Sequence, residues 1–134
     1  MPTFDPARVA ALLAADNYAR GMGIELVTVN DERIVVGLDV AGEHANFLGV
    51  GHGGMVFSLA DCAFSLASNS AGADAVAIDT HLVLTAATRP GDRLEASVTE
   101  VSRGRTLGTY RAEVTRRDGR VVALFTGTVY INQG

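Results

Sequence analysis

Apolar and polar residues alternate along much of the second half of the chain. The stretches RLEASVTEV and TLGTYRAEVTR show this clearly, and such alternation is typical of strands with one face on a core and one in water. The turn sequences RPGD and RDGR separate neighbouring stretches. The pattern predicts two short strands and then, after a central segment, four longer ones, at residues 24–29, 33–40, 75–87, 93–102, 106–117 and 120–131.

The start of the chain has the spacing of a helix. Asp5 is a suitable N-cap, and Pro6 occupies the first helical position, where its missing N–H costs nothing. Apolar residues then recur at helical spacing until Gly21, which predicts one helix over residues 5–19. The whole chain, 1–134, is predicted to be one domain, with this N-terminal helix in residues 1–20.

The central segment predicts a second, longer helix. It begins at Gly53 and Gly54, ends at Gly72, and is apolar on most sides. About 20 residues make a helix about 30 Å long, and a helix this apolar must be buried. The order of elements is typical of an α+β fold in which a mostly antiparallel sheet curls around the central helix.

The polar residues of the central helix recur at steps of three and four, so they form one stripe. One interpretation is an ordinary solvent-facing stripe. However, solvent faces usually carry Lys, Arg and Glu, whereas this stripe contains small residues and one acid. The composition favours a face docked against another backbone or a ligand, with Asp61 in the seam. The stripe consists of Gly54, Ser58, Asp61, Ser65, Ser68 and Asn69.

Two features of this helix suggest hydrolytic chemistry. The N–H groups of Gly53 and Gly54 lie at the positive end of the helix dipole and suit an oxygen that becomes anionic. Asp61 lies seven residues past Gly54, about 10 Å along the axis. A small electrophilic group between them could be influenced by both, with the amides polarising a carbonyl and the carboxylate activating water or attacking.

The segment HANFLGVGHGGMVFSLADCAFSLASNS, with VALFTGTVY near the end, resembles the hotdog-fold acyl-CoA thioesterases of the phenylacetic-acid degradation type. Their signature is H-x-N-x-x-G, then H-G-G-x-x-F-x-L-A-D-x-A-F, then N-S. The resemblance covers the chain from about Tyr18 to the end. The matching residues are His44, Asn46, Gly49, His52, Gly53, Gly54, Phe57, Leu59, Ala60, Asp61, Ala63, Phe64, Asn69 and Ser70.

The resemblance implies a hotdog fold and roles for individual residues. Asp61 is expected to be the base or nucleophile, and the Gly53 N–H is expected to polarise the thioester carbonyl. Asn46 and His52 are expected to help position the carbonyl and the water, with Gly54 beside them on the substrate. The resemblance also implies homodimers with the sheets joined edge to edge, paired into tetramers, and an active site between protomers.

In this family, the partner's strand 75–87 is expected to close the active site. Relatives sometimes place a hydroxyl there to hold the water, and Thr80 is the nearest candidate in this chain. By resemblance, the phosphates of coenzyme A are expected near SRGRT, on Arg103, Gly104 and Arg105, with Arg89 second. Guanidinium groups suit such phosphates.

Other chemistry is less consistent with the sequence. His44, His52 and Asp61 match no zinc spacing, so no metal is expected. Cys62 is about 15 Å along the helix from His52, so a nucleophilic Cys–His pair within one chain is not expected. GVGHGG lacks the Lys-Ser/Thr of a nucleotide loop.

Composition excludes several broader classes. The 134 residues are 48% hydrophobic and carry a net charge of −4, which argues against broad nucleic-acid binding. A single cysteine suggests a reducing compartment. No signal peptide or membrane span is predicted, so we expect a cytoplasmic protein.

The sequence therefore predicts hydrolysis of acyl-CoA thioesters, with phenylacetyl-CoA or a hydroxylated aryl-acyl-CoA as the expected substrate and no cofactor beyond the coenzyme A of the substrate. A non-catalytic acyl-CoA-binding hotdog module is the alternative. A dehydratase or hydratase acting on a thioester is a third hypothesis, although it would ordinarily need a histidine paired with an acid across the site.

Overall fold

The computed structural model describes residues 4–132, so the ends of the predicted domain lie outside the described residues. The chain forms three α-helices and six strands within this range. In order these are α1 (Pro6–Ala15), α2 (Asn17–Met22), β1 (Glu25–Val29), β2 (Ile34–Asp39), α3 (Gly53–Asn69), β3 (Ala75–Leu84), β4 (Arg93–Arg103), β5 (Leu107–Arg116) and β6 (Val121–Ile131), with a short 3₁₀ turn at Gly42–His44.

The six strands form one antiparallel sheet in the order β1-β2-β4-β5-β6-β3. Helix α3 packs against β2, β4, β5, β3 and β6, so the sheet wraps around it. Leu59 and Ala63 of α3 are completely buried. The prediction of an α+β fold with a central helix inside a curled antiparallel sheet is confirmed.

Strand periodicity placed the core correctly. In β4, Leu94, Ala96 and Val98 are all completely buried and alternate with partly exposed residues. The same alternation occurs in β5 and β6. Because successive side chains of a strand point to opposite faces, this alternation gives the sheet one apolar face, which packs on α3.

The prediction of one helix over residues 5–19 is wrong, because the chain breaks at Asp16. Asp16 has an extended backbone, and its carboxylate accepts a hydrogen bond of 3.0 Å from the Ala19 N–H. It therefore caps a new helix, α2. An aspartate that can satisfy the free N–H groups of a following turn favours a helix start over a helix interior.

Helix α3 is shorter than predicted and ends at Asn69 rather than at Gly72. The Asn69 side chain accepts a hydrogen bond of 2.9 Å from the Ala75 N–H and donates one of 3.2 Å to the Ala75 carbonyl. This side chain therefore connects the end of the helix to the start of β3. Gly72 has a φ of +103° and supplies the turn between them.

Strand β3 is an edge of the sheet and carries exposed apolar side chains. Among residues 4–132 it pairs only with β6, and the exposed fractions of Val76 and Ile78 are 60% and 59%. Long apolar edges are uncommon in isolated proteins because they invite pairing with another strand.

No helix within residues 4–132 is long and apolar enough to cross a membrane.

Gly127 provides a test of the packing under α3. A Cβ at this position would lie 2.7 Å from Cζ of Phe64 and 2.9 Å from Cε1 of Phe125. We expect Gly127→Ala to lower the free energy of unfolding by about 1–3 kcal/mol in chemical denaturation, because the two rings cannot both move away.

Gly21→Ala is the matched control for Gly127→Ala. Gly21 lies in α2, and no atom lies within 4 Å of the position that a Cβ would take there. The added methyl should therefore stabilise the helix by about 0.5–1 kcal/mol. Equal effects of the two substitutions would contradict this description of the core.

Candidate active site

The first turn of α3 leaves one backbone donor unpaired. His52 is the N-cap: its Nδ1 accepts a hydrogen bond of 2.8 Å from the Gly54 N–H, and its carbonyl accepts one of 3.0 Å from Met55. Within residues 4–132, no group accepts a hydrogen bond from the Gly53 N–H. This donor lies at the positive end of a 17-residue helix, where an anionic oxygen is stabilised.

The same hydrogen bond determines the tautomer of the neutral His52 ring. Because Nδ1 accepts a hydrogen bond, the neutral imidazole carries its proton on Nε2. The ring is exposed, so Nε2–H is available as a donor beside the helix N-terminus.

The loop before α3 orients Asn46. Its Oδ1 accepts hydrogen bonds from the N–H groups of Leu48, at 2.9 Å, and Val50, at 3.3 Å. These bonds occupy the carbonyl end of the side-chain amide, while its Nδ2 donates to no group within the described range. Asn46 therefore presents a fixed N–H₂ donor rather than an acceptor.

Two backbone contacts connect this loop to its surroundings. The His52 N–H donates to the His44 carbonyl at 2.8 Å, and the Gly51 N–H donates to the Thr88 carbonyl at 2.7 Å. Gly51 packs so closely on Thr88 Oγ1 that a Cβ there would overlap it. The loop is thus held against the segment that follows β3.

Asn46 and Gly53 line the same open cavity, which has a volume of about 390 Å³. Gly51, Val56 and residues 84–88, from the end of β3 and the segment after it, form the rest of the lining. Two unpaired N–H donors beside one cavity can polarise a carbonyl oxygen and stabilise the negative charge that develops on it.

Asp61 lies in the middle of α3 and is half-buried. Within residues 4–132, its carboxylate has no hydrogen-bond or ion-pair partner. Burial raises the pKa of this carboxyl above its ordinary value, and the nearby negative charge of Asp16 raises it further. A desolvated carboxylate without a partner is a stronger base than one in water.

The stripe around Asp61 is partly covered by the chain's own α2. The Tyr18 hydroxyl lies 2.9 Å from Ser58 Oγ, and Ser58 donates to the Gly54 carbonyl at 2.8 Å. At the other end, Ser68 is only 1% exposed and Asn69 bonds to β3. The docked interpretation of this face is confirmed at both ends, while Asp61 and Ser65 between them are half-buried.

Gly53 and Asp61 of one chain are too far apart to act on one carbonyl directly. Eight residues of helix separate them, which is about 12 Å along the axis. A carbonyl oxygen held at about 2.7–3.1 Å from an amide places its carbon far from that carboxylate. Direct attack by Asp61 on a carbonyl that Gly53 holds would therefore need the two residues to come from different copies of the chain.

Arg103, the first-ranked candidate for coenzyme A phosphate, is engaged within the fold. Its Nη1 donates to the Ser68 carbonyl at 3.2 Å and to the Tyr110 hydroxyl at 2.7 Å. Tyr110 in turn donates to Glu100 at 2.9 Å, and burial raises the pKa of Tyr110 to about 12. This network connects the sheet to the C-terminal end of α3.

The other residues predicted to contact coenzyme A or the water are distributed around the molecule. Gly104 and Arg105 are exposed in the turn after β4, near the C-terminal end of α3, and the Gly104 N–H donates to the Leu107 carbonyl. Arg89 is exposed in a cleft of about 500 Å³ that begins one residue from the lining of the Gly53 cavity. Thr80 is exposed on the edge strand β3.

The structure argues against the alternative chemistries. His44 and His52 both use Nδ1 to accept backbone hydrogen bonds, and no three potential metal ligands cluster within the described part of the chain. Cys62 is buried, and burial raises the pKa of its thiol to about 12. A thiol in this state is a poor nucleophile.

Comparison with known proteins identifies the family. Residues 48–123 match the family model described as the thioesterase superfamily. The chain belongs to the thioesterase superfamily. It is 33% identical over 117 residues to the acyl-coenzyme A thioesterase PaaI of Escherichia coli, a match that covers 87% of this chain and 84% of PaaI.

Solved structures support the same assignment. E. coli PaaI, from the phenylacetic acid degradation operon, superposes with a TM-score of 0.91 at 31% identity, covering 96% of this chain and 93% of PaaI. A variant of PaaI from Thermus thermophilus superposes with a TM-score of 0.82 at 38% identity, covering 86% of this chain and 98% of that protein. A hypothetical thioesterase from Streptococcus pneumoniae, solved with coenzyme A, superposes with a TM-score of 0.78 at 28% identity, covering 81% of this chain and 85% of that protein. The predicted resemblance and hotdog fold are confirmed.

Sequence reasoning missed two parts of this thioesterase's candidate site. Residues 84–88 form a wall of the cavity, but no pattern in the sequence places them beside Gly53. Tyr18 reaches the stripe of α3 only because the first helix breaks at Asp16. Here a signal was present, since aspartate is a preferred N-cap residue.

Asp61→Asn tests the burial of the catalytic candidate. Burial raises the folded-state pKa of Asp61, so its ionised form costs stability at neutral pH. We expect the substitution to raise the midpoint of thermal unfolding there. The gain should shrink as the pH falls through the folded-state pKa, and disappear below the unfolded value of about 3.9, where wild type is also neutral.

The same substitution at Asp31, in the exposed turn between β1 and β2, controls for the loss of one negative charge. If Asp61→Asn were no more stable than wild type at neutral pH, the described environment of Asp61 would be wrong.

Proposed function

We propose that this thioesterase hydrolyses acyl-CoA thioesters to a free acid and coenzyme A. The observation that carries the proposal is the pair of unpaired donors, Gly53 N–H and Asn46 Nδ2, on one cavity. They are placed to hold the thioester oxygen as it becomes negative. The exposed Nε2–H of His52 is the third donor at this end of the helix and helps position the carbonyl and the water.

Asp61 is the base or the nucleophile of the proposed reaction. As a base it takes a proton from water, whose oxygen attacks the thioester carbon. The C–S bond then breaks, and the proton held by Asp61 passes to the sulfur, so coenzyme A leaves as the thiol. As a nucleophile its carboxylate attacks the thioester carbon, the C–S bond breaks and coenzyme A leaves as the thiolate. Water then hydrolyses the resulting anhydride to the free acid and the Asp61 carboxylate, and the proton that this step releases passes to the thiolate. The raised pKa of Asp61 supports either role, because a desolvated carboxylate is the more reactive one.

The complete site is proposed to lie between two copies of the chain. The distance of about 12 Å between Gly53 and Asp61 along α3 is resolved if each site combines Gly53 and Asn46 of one protomer with Asp61 of its partner. The exposed apolar edge of β3 supports a homodimer joined there, with β3, which is shorter than the predicted strand 75–87, closing the site near Thr80. Pairing of such dimers into tetramers is the family-based part of the proposal.

The substrate is proposed to be phenylacetyl-CoA or a hydroxylated aryl-acyl-CoA. E. coli PaaI, from a phenylacetic acid degradation operon, and the S. pneumoniae thioesterase solved with coenzyme A support this class. The reaction needs no cofactor, since coenzyme A is part of the substrate, and we place it in the cytoplasm without nucleic-acid or membrane partners.

For the coenzyme A phosphates we favour Arg89. Arg89 directly follows Thr88, which lines the Gly53 cavity, whereas Arg103 already donates to Ser68 and Tyr110. Gly104 and Arg105 remain candidates through the partner, because they lie near the opposite end of α3.

Asp61→Asn is the direct test of the proposed reaction. We expect kcat for thiol release from phenylacetyl-CoA to fall about 10²–10⁴-fold, the usual contribution of a general base. Asp31→Asn, the same change on an exposed turn, should leave the rate unchanged. Retention of most activity by Asp61→Asn would refute the assignment, and tight binding without thiol release by wild type would favour the binding module.

Mixed oligomers test the site between protomers. Asn46→Ala and Asp61→Asn should each be nearly inactive, since loss of one oxyanion donor alone costs about 10²–10³ in kcat. In a co-expressed mixture, half of the dimers combine the two variants and hold one intact site each. The mixture should therefore regain about a quarter of wild-type activity if each site draws on both chains, whereas sites within one chain predict no recovery.

A further inference from the structure

Tyr18 is an exposed aromatic residue that is nevertheless fixed in place. Its side chain is 68% exposed, yet its hydroxyl lies 2.9 Å from Ser58 Oγ. Because Ser58 gives its own proton to the Gly54 carbonyl, the Tyr18 hydroxyl must be the donor to Ser58. The ring is thus anchored at its backbone on α2 and at its tip on α3.

The anchor lies close to Asp61, the residue that this α3 contributes to the proposed active site. Ser58 is one turn before Asp61 on the polar stripe, and residues at this spacing have Cβ atoms about 5–6 Å apart. Asp16, which starts α2, is close enough for its charge to act on Asp61. The start of α2 therefore lies near the same carboxylate.

The proposed orientation of the substrate places its acyl group near Asp61 and the start of α2. If the coenzyme A arm leaves through the Gly53 cavity towards Arg89, the acyl group extends from the carbonyl in the other direction. In the proposed dimer, that direction runs over the α3 of the second protomer, whose Asp61 completes the site. The exposed face of Tyr18 on that protomer offers an aromatic surface beside this carboxylate.

We propose that Tyr18 forms a wall of the acyl pocket and determines its preference for aromatic over straight-chain acyl groups; this rests on the proposed function. Aromatic rings stack in preferred offset or edge-to-face geometries and gain more than area alone would give. The hydrogen bond to Ser58 holds the ring in place before substrate binds, so less side-chain entropy is lost on binding.

The test measures kcat/KM for phenylacetyl-CoA and hexanoyl-CoA and compares their ratio between variants. Tyr18→Ala should lower the aromatic-to-aliphatic ratio about three- to tenfold, the value of one aromatic pair. Tyr18→Phe keeps the ring and loses the anchor, so the ratio should fall less. Ser58→Ala removes the same hydrogen bond from the other side and should match Tyr18→Phe.

Asn17→Ala is the matched control, since Asn17 is exposed on the same helix and should not change the ratio. An unchanged ratio in Tyr18→Ala, or equal ratios in Tyr18→Ala and Tyr18→Phe, would overturn the role of the ring. A wild-type protein that releases no thiol from any acyl-CoA would overturn the proposed function instead, so the two failures are distinguishable.

Discussion

The burial of α3 inside the curved sheet is the constraint on which the rest of the structure depends. The helix is apolar on most of its surface, so only a sheet that wraps around it removes enough of that surface from water. Close packing follows, as the rings of Phe64 and Phe125 press against the bare backbone of Gly127. A helix held this firmly presents its first turn in one fixed place.

Within residues 4–132, polar groups without hydrogen-bond partners lie at the start of α3 and at Asp61, whereas the polar groups at the C-terminal end of α3 are paired. Gly53 and Asn46 keep a free donor each, and Asp61 keeps a free carboxylate, within the described residues. At the far end of α3, Arg103 and Tyr110 satisfy one another and the helix carbonyl. Polar groups removed from water without a partner cost stability. The two donors line one cavity, where a substrate oxygen can pair with them, and Asp61 lies about two turns further along α3.

Within one chain, the two N–H donors and the carboxylate are too far apart to contact the same substrate carbonyl. The donors lie at the start of α3 and the carboxylate lies about two turns further along. The open edge of β3 supplies a surface through which a second copy can bring the parts together. The proposed reaction therefore requires the proposed dimer, because the donors and the carboxylate lie too far apart along one α3.

The sequence by itself determined the strands, the buried central helix, the lone acid and the family, because side-chain periodicity and a long motif are local features. The break at Asp16 was also a local signal, though the apolar stripe concealed it. Only the tertiary structure decided that residues 84–88 line the Gly53 cavity, that Tyr18 reaches Ser58, and that Arg103 is already paired. These facts depend on contacts between segments distant in sequence, and such contacts follow from how the sheet closes around the helix rather than from any local pattern.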